Sequence, residues 1–169
     1  AEEINSIFFK FKEIGDKKKF VYDDDLSALV DGHITTVPET WALDYLNVST
    51  GNQTVPTATV RLTKKDNKKT HVEQDASIGD GPVDASLKAI DRISKTKGTL
   101  MDYTIRAVSQ GKDALGEVTL KVDFGKGDLV IGKGASTDII EASARAYLNA
   151  VNRYLNNRRK SRKRAPRQP

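Results

Sequence analysis

The chain has no cysteine, one methionine, one tryptophan and two histidines among its 169 residues. Lack of cysteine excludes disulfides and thiolate metal sites, while leaving the redox compartment open. His33 lies in an expected linker and His71 on the polar side of an expected strand, so no histidine metal pair is indicated. Nor does any local context suggest a Ser, His and Asp or a Cys and His catalytic set. The carboxylates fall mostly on alternating polar faces, where solvation accounts for them, so neither catalytic residues nor metal ligands are assigned. The sequence also lacks a run of about 18 apolar residues and a charged-then-apolar leader. No membrane span or secretory signal is therefore supported, and a cytoplasmic setting is the expectation.

What the chain does have is enough apolar content, 37%, to bury a core. Its net charge of +5 is unevenly placed. Seven basic residues from Arg158 to Arg167, with no acid among them, leave the rest of the chain slightly acidic. Such a run reads first as a frayed, disordered tail over residues 158–169, and nucleic-acid binding through it is the minor reading. Residues 1–37 show helical spacing at Ile4, Ile7, Phe8, Phe11 and Ile14 and again at Leu26, Leu29 and Val30. This predicts two short linker helices. Starting on Ala1 with an amphipathic helix, the sequence is expected to be a piece of a longer protein.

From Trp41 the periodicity changes. Trp41 to Val48 is strand-like, Ala58, Val60 and Leu62 alternate with polar residues, and a third strand is expected near Lys69 to Ala76. A helix follows Gly81, with Pro82 at its first position and Val83, Leu87, Ile90 and Ile93 on one stripe. The order then repeats. Met101, Tyr103, Ile105 and Ala107 alternate, as do Val118, Leu120, Val122 and Phe124; a brief strand at Asp128 to Ile131 leads to a long helix from about Thr137. The predicted fold class is α+β, two pseudo-symmetric βββα units at about 41–97 and 98–157, preceded by the linker helices.

Ile78-Gly79-Asp80-Gly81 and Ile131-Gly132-Lys133-Gly134 each end a strand-like run, and both are expected to open a helix. Unpaired amides at such a helix start would suit a carboxylate. The spacing in Gly132 to Thr137 is not that of a nucleotide phosphate loop. A third loop, Ser109 to Gly116, mixes glycine, a carboxylate and small apolar residues. With Tyr103 and Ala107 beside it, the group suits a zwitterion carrying a short branched side chain.

Three motifs carry a family resemblance: Gly79-Asp80-Gly81-Pro82-Val83-Asp84-Ala85, Gly111-Lys112-Asp113-Ala114-Leu115-Gly116-Glu117-Val118, and the run from Gly132 to Ser143. Together with Val55 to Val60, they resemble the C-terminal regulatory segment of 2-isopropylmalate synthase and its relative citramalate synthase, from about Trp41 to Arg153. The resemblance implies a homodimeric regulatory, amino-acid-binding domain over residues 38–157, after a helical linker subdomain at 1–37. It would bind leucine and inhibit its own catalytic barrel. That acyltransferase condenses acetyl-CoA with 2-oxoisovalerate; its barrel, with the divalent metal, lies outside this sequence, so this stretch alone would be inactive and without cofactor.

By motif position, Leu100, Tyr103, Ala107 and Ala114 would meet the effector side chain. Gly79, Asp80, Gly81, Pro82 and Val83 would close the site with Ala135, Ser136 and Thr137. The amides of Gly134, Ala135 and Ser136 would hold the effector carboxylate, and the Asp80 loop or Asp113 its ammonium. Leu115 and Gly116 would form the rim, so that Gly116→Asp is expected to weaken binding without harming the fold. The nearest alternative is the regulatory domain of citramalate synthase, acting on pyruvate and sensing isoleucine. A purely structural dimerisation domain and a basic-tailed nucleic-acid module are the alternatives of other classes. The basic tail departs from the family pattern.

Overall fold

The computed structural model describes residues 39–66, 69–108 and 115–164. The expected linker helices, and Asp113 and Ala114 of the third loop, lie outside the described residues. Two three-stranded antiparallel sheets are each followed by a helix. The first unit is β1 (Ala42–Gly51), β2 (Thr54–Asp66), β3 (Lys69–Ile78) and α1 (Pro82–Ser94). The second is β4 (Thr99–Ala107), β5 (Gly116–Asp123), β6 (Leu129–Ser136) and α2 (Ile139–Arg164). This is the α+β, twice βββα architecture that the alternating patterns predict.

The central strands carry the core. Ala58, Val60 and Leu62 on β2, and Val118, Leu120 and Val122 on β5, are fully buried, and each larger side chain contributes about 1.5–3 kcal/mol by leaving water. The helices supply the opposing stripes, Leu87, Ile90 and Ile93 from α1 and Tyr147, Leu148 and Val151 from α2. Each helix covers the central and last strands of its own unit and packs against the other helix. The inner faces of β1 and β4 are therefore the least covered. Ile105 is 48% exposed although it sits opposite buried Val118.

The duplication is closer than the sequence suggests. Val83-Asp84-Ala85-Ser86 at the start of α1 corresponds to Ile140-Glu141-Ala142-Ser143 on α2, 57 positions on. The side chains repeat their contacts: Asp84 pairs with Lys88 at 2.7 Å, and Glu141 pairs with Arg145. Ser86 Oγ donates to the Pro82 carbonyl at 2.7 Å, as Ser143 Oγ does to that of Ile139 at 2.6 Å. A bulge interrupts β1 between Leu43 and Tyr45, and β4 at the equivalent Leu100 and Asp102. Met101 is the extra residue on β4, left out of the pairing and 58% exposed. Contrary to the unbroken alternation expected, Leu100 rather than Met101 shares the inner face with Tyr103, Ile105 and Ala107.

Two expectations are corrected here. Gly132 and Gly134 do not open a helix; they lie within β6, opposite Leu120 and Val118. A Cβ at either would collide with α2 backbone, at Ala146 for Gly132 and at Ala142 to Ala146 for Gly134. Glycine is needed there for close approach of helix to sheet. The long helix also does not stop before the basic run but continues to Arg164, since no glycine or proline intervenes before Pro166.

Gly132→Ala should therefore cost about 1–3 kcal/mol in urea denaturation, as overpacking against backbone that cannot yield. Gly81→Ser, in extended backbone with open space around it, should change stability by no more than about 0.5 kcal/mol or raise it by adding a cap. Equal effects would contradict the close-approach account.

Candidate functional site

One face of α1, from Val83 to Asp91, and the inner face of β4 border a cleft of about 550 Å3. Its apolar wall is Val83 and Leu87 from α1 with Leu100 and Tyr103 from β4. Its charged groups are Asp84, Lys88, Asp91 and Lys97, and Gly98 and Tyr147 form the floor. The β4 bulge is what turns Leu100 inward to join Tyr103. Tyr103 is fixed in turn by a 2.6 Å hydrogen bond to Ser143 Oγ, whose own proton goes to the Ile139 carbonyl.

Asp91 is the most constrained of the charged groups. Its carboxylate accepts hydrogen bonds from the Tyr147 hydroxyl at 2.7 Å, the Thr96 hydroxyl at 3.1 Å and the Gly98 amide at 3.4 Å. Burial pushes its pKa above the ordinary aspartate value, against the lowering effect of those donors and of nearby Lys97. Burial and the adjacent Asp91 charge also push the Tyr147 hydroxyl upward, so it remains a donor at neutral pH. Asp84 shifts the other way, held below the usual carboxylate range chiefly by the hydrogen bond from Lys88. It also accepts from the Asp80 amide at 2.9 Å. Lys97 makes no ion pair among the described residues.

The sequence-expected positions divide into three groups. Val83, Leu100 and Tyr103 line this cleft. Gly79, Asp80, Gly81 and Pro82 form the turn into α1, where Gly81 provides no side-chain cap and leaves the Val83 and Asp84 amides without a capping partner. Ala107, Gly116 and Ser136 stand side by side across the far end of the second sheet, with Ala135 and Thr137 flanking them and Leu115 exposed at the hairpin mouth. Asp84, Leu87, Lys88, Asp91, Lys97, Gly98 and Tyr147 were not anticipated as site residues. Leu87 falls on the expected core stripe of the helix after Gly81; the match between the Asp84 to Lys88 and Glu141 to Arg145 segments was the available signal.

The Gly134, Ala135 and Ser136 amides expected to hold a carboxylate do not lie at the start of a helix, because these residues belong to β6. The Lys133 amide turns outward to Asn149 Oδ1 at 3.2 Å, and antiparallel alternation therefore directs the amides of Gly134 and Ser136 toward β5. Asp138 caps α2 itself, its carboxylate accepting from the Ile140 and Glu141 amides at 2.8 and 3.3 Å. Gly116 is buried at the start of β5, and a Cβ there would meet the tip of the Ile139 side chain. A carboxylate at this position would enter an apolar contact, so Gly116→Asp is expected to cost stability rather than leave the fold unharmed.

A second groove of about 510 Å3 occupies the equivalent place between β1 and the start of α2. Leu43 and Leu46 stand for Leu100 and Tyr103, and Glu141 and Arg145 for Asp84 and Lys88. At the position of Asp91 it has Leu148, and so lacks the buried carboxylate.

A carboxyl whose folded pKa is raised adds stability below its unfolded pKa and loses that contribution as pH rises through the folded value. Relative to Asp91→Asn, which keeps an acceptor for Tyr147, the native chain should lose stability as pH rises from about 4, the ordinary aspartate value, through the raised folded value. Chemical denaturation across that range measures it; a pH-independent difference between the two proteins would contradict the burial of this carboxyl.

With the cleft defined, the similarities of the chain can be placed. It is 53% identical to a 2-isopropylmalate synthase of Methylacidiphilum infernorum (isolate V4) and 51% identical to that of Carboxydothermus hydrogenoformans, each over 154 residues. The same-named protein of Pelotomaculum thermopropionicum is 47% identical over the same length. These alignments cover 91% of this chain but only 30% of each relative. The model of the LeuA allosteric (dimerisation) domain matches residues 20–155, spanning both βββα units and the cleft between them, and the chain belongs to that family.

Proposed function

We propose that the chain is the leucine-sensing allosteric module of a 2-isopropylmalate synthase, and that leucine occupies the cleft between α1 and β4. The observation carrying this reading is that one cleft combines a branched-chain-sized apolar wall with both signs of charge. Leucine as an α-amino acid uses this combination: its isobutyl group lies against Leu87, Leu100 and Tyr103, its carboxylate faces Lys97, and its ammonium faces Asp84 or Asp91. The equivalent groove beside β1 lacks the buried aspartate, so a single effector site per chain is part of the proposal.

The parent enzyme would join acetyl-CoA to 2-oxoisovalerate in leucine biosynthesis, in the cytoplasm, through a metal-containing barrel in the remaining length of the protein. Feedback inhibition requires leucine to favour one arrangement of module and barrel by differential affinity. A second copy of the chain is the proposed cover for the exposed inner residues Leu100, Ile105 and Ala107 on β4. Pairing over that face would bring each cleft beside the partner subunit.

Thermal melts with branched-chain amino acids test the assignment. Leucine at a hundred times its dissociation constant should stabilise the native chain by about 2.7 kcal/mol, raising the melting temperature by several degrees. Leu100→Ala, at a position 41% exposed, should retain the fold but weaken leucine binding roughly tenfold. A response to isoleucine alone would transfer the chain to the citramalate reading, and no response to any branched-chain amino acid would refute the sensor.

A further inference from the structure

Around the C-terminal end of α1, three segments distant in sequence converge on a second kind of surface, whose lining shares no residue with the effector cleft. A cleft of about 350 Å3 is bordered by Lys64 at the end of β2, Lys95 just after α1 and Arg159 on α2, with His71 beside them and Glu73 as the one acid. Its floor is apolar, formed by Trp41, Ile93 and Leu155. The Lys64 ammonium lies 5.6 Å from the centroid of the Trp41 ring. None of the three cations forms an ion pair among the described residues. Four other bases do pair, Arg61 with Asp44, Lys88 with Asp84, Arg92 with Asp75 and Arg145 with Glu141, so what sets these three apart is their convergence on one hollow.

A basic helix end alone has a simple explanation, because cations at the C-terminal turns offset the helix dipole. That accounts for Arg158, Lys160 and Arg162, and for Lys95 at the end of α1, but it does not account for Lys64 arriving from a strand at the same hollow as Lys95 and Arg159. Like charges gathered over an apolar floor repel one another, and the same low-dielectric wall strengthens their joint field toward an anion. The arginine fork adds directional donors suited to phosphate oxygens. At the α1 end the Asp91 carbonyl accepts from the amides of both Lys95 and Thr96, which fixes the turn carrying Lys95.

We propose that this cleft binds a multiply charged phosphate compound, held by Lys64, Lys95 and Arg159 over the Trp41, Ile93 and Leu155 floor. Such a group is carried both by small polyphosphates and by a nucleic-acid backbone. The cleft geometry favours the small compound, because the three cations face a common hollow rather than a line.

Trp41 is the only tryptophan in the chain and reports directly on the site. Titration of the full chain with tripolyphosphate at physiological ionic strength should give a saturable fluorescence change, weakened by added salt. Lys95→Gln and Arg159→Gln should each weaken binding by about tenfold, the loss of one charged hydrogen bond. Lys160→Gln, on the same helix but outside the lining, should change it by less than about threefold. Circular dichroism melts confirm that the variants fold. Absence of saturable binding would overturn the proposal, as would equal losses in Lys160→Gln and Arg159→Gln, which would indicate diffuse attraction. Binding only to a single-stranded oligonucleotide, abolished by removing residues 163–169, would assign the charge to nucleic acid and also overturn it.

Discussion

The second half of the protein is organised by a helix that lies almost backbone to backbone on a strand. Because Gly132 and Gly134 present no side chains to α2, the helix sits low enough on the second sheet to engage three other elements. Ser143 meets Tyr103 on β4, Tyr147 meets Asp91 on α1, and Asn152 grips the start of β1. This last contact is a buried two-way amide clamp, with the Trp41 amide donating to Asn152 Oδ1 at 2.9 Å and Asn152 Nδ2 donating to the Trp41 carbonyl at 2.8 Å. Every polar group in it is satisfied, which is the condition for burying it without penalty. Raising the helix would loosen all three joints together.

Duplication supplied two grooves on one backbone plan, and side-chain substitution separated their chemistry. Both retain an acid and a base four residues apart on the helix. Only the groove beside β4 has an aspartate inside the joint between the two helices. Asp91 also binds Thr96 and Gly98, the connector leading from α1 into β4. The residue facing the cleft is thus the one that tethers the second unit to the first. A charge placed near it acts on a junction rather than on a surface.

Much of this architecture was legible because alternation on β2 and β5 and the stripes on both helices are strong, redundant signals. The bulge on β4 was not, since one unpaired residue becomes visible only when its partner strand is present. That omission substituted Met101 for Leu100 on the inner face. The Gly132 to Gly134 run was misread because glycine before a helix and glycine beneath one look alike in one dimension. The intervening amide decided it, through Asn149. The extension of α2 into the basic run was obscured by charge, although its arginines and lysines are good helix formers. Convergence of Lys64, Lys95 and Arg159 had no local signature at all.

The matching bulges have a consequence for how the fold tolerates change. Leu46 pairs with Val60 but its counterpart Tyr103 pairs with Leu120, so the first hairpin of the second unit is three residues longer. Val60 pairs with Asp75 and Leu120 with Gly132, so the next hairpin is three residues shorter. Both length differences fall beyond the groove-lining positions, toward the hairpin tips, and the counterpart side chains on β1 and β4 still face the same way. Insertions and deletions at the hairpin tips are absorbed there, while parity along the groove-lining strands is set by a single extra residue whose removal would turn the wall inside out.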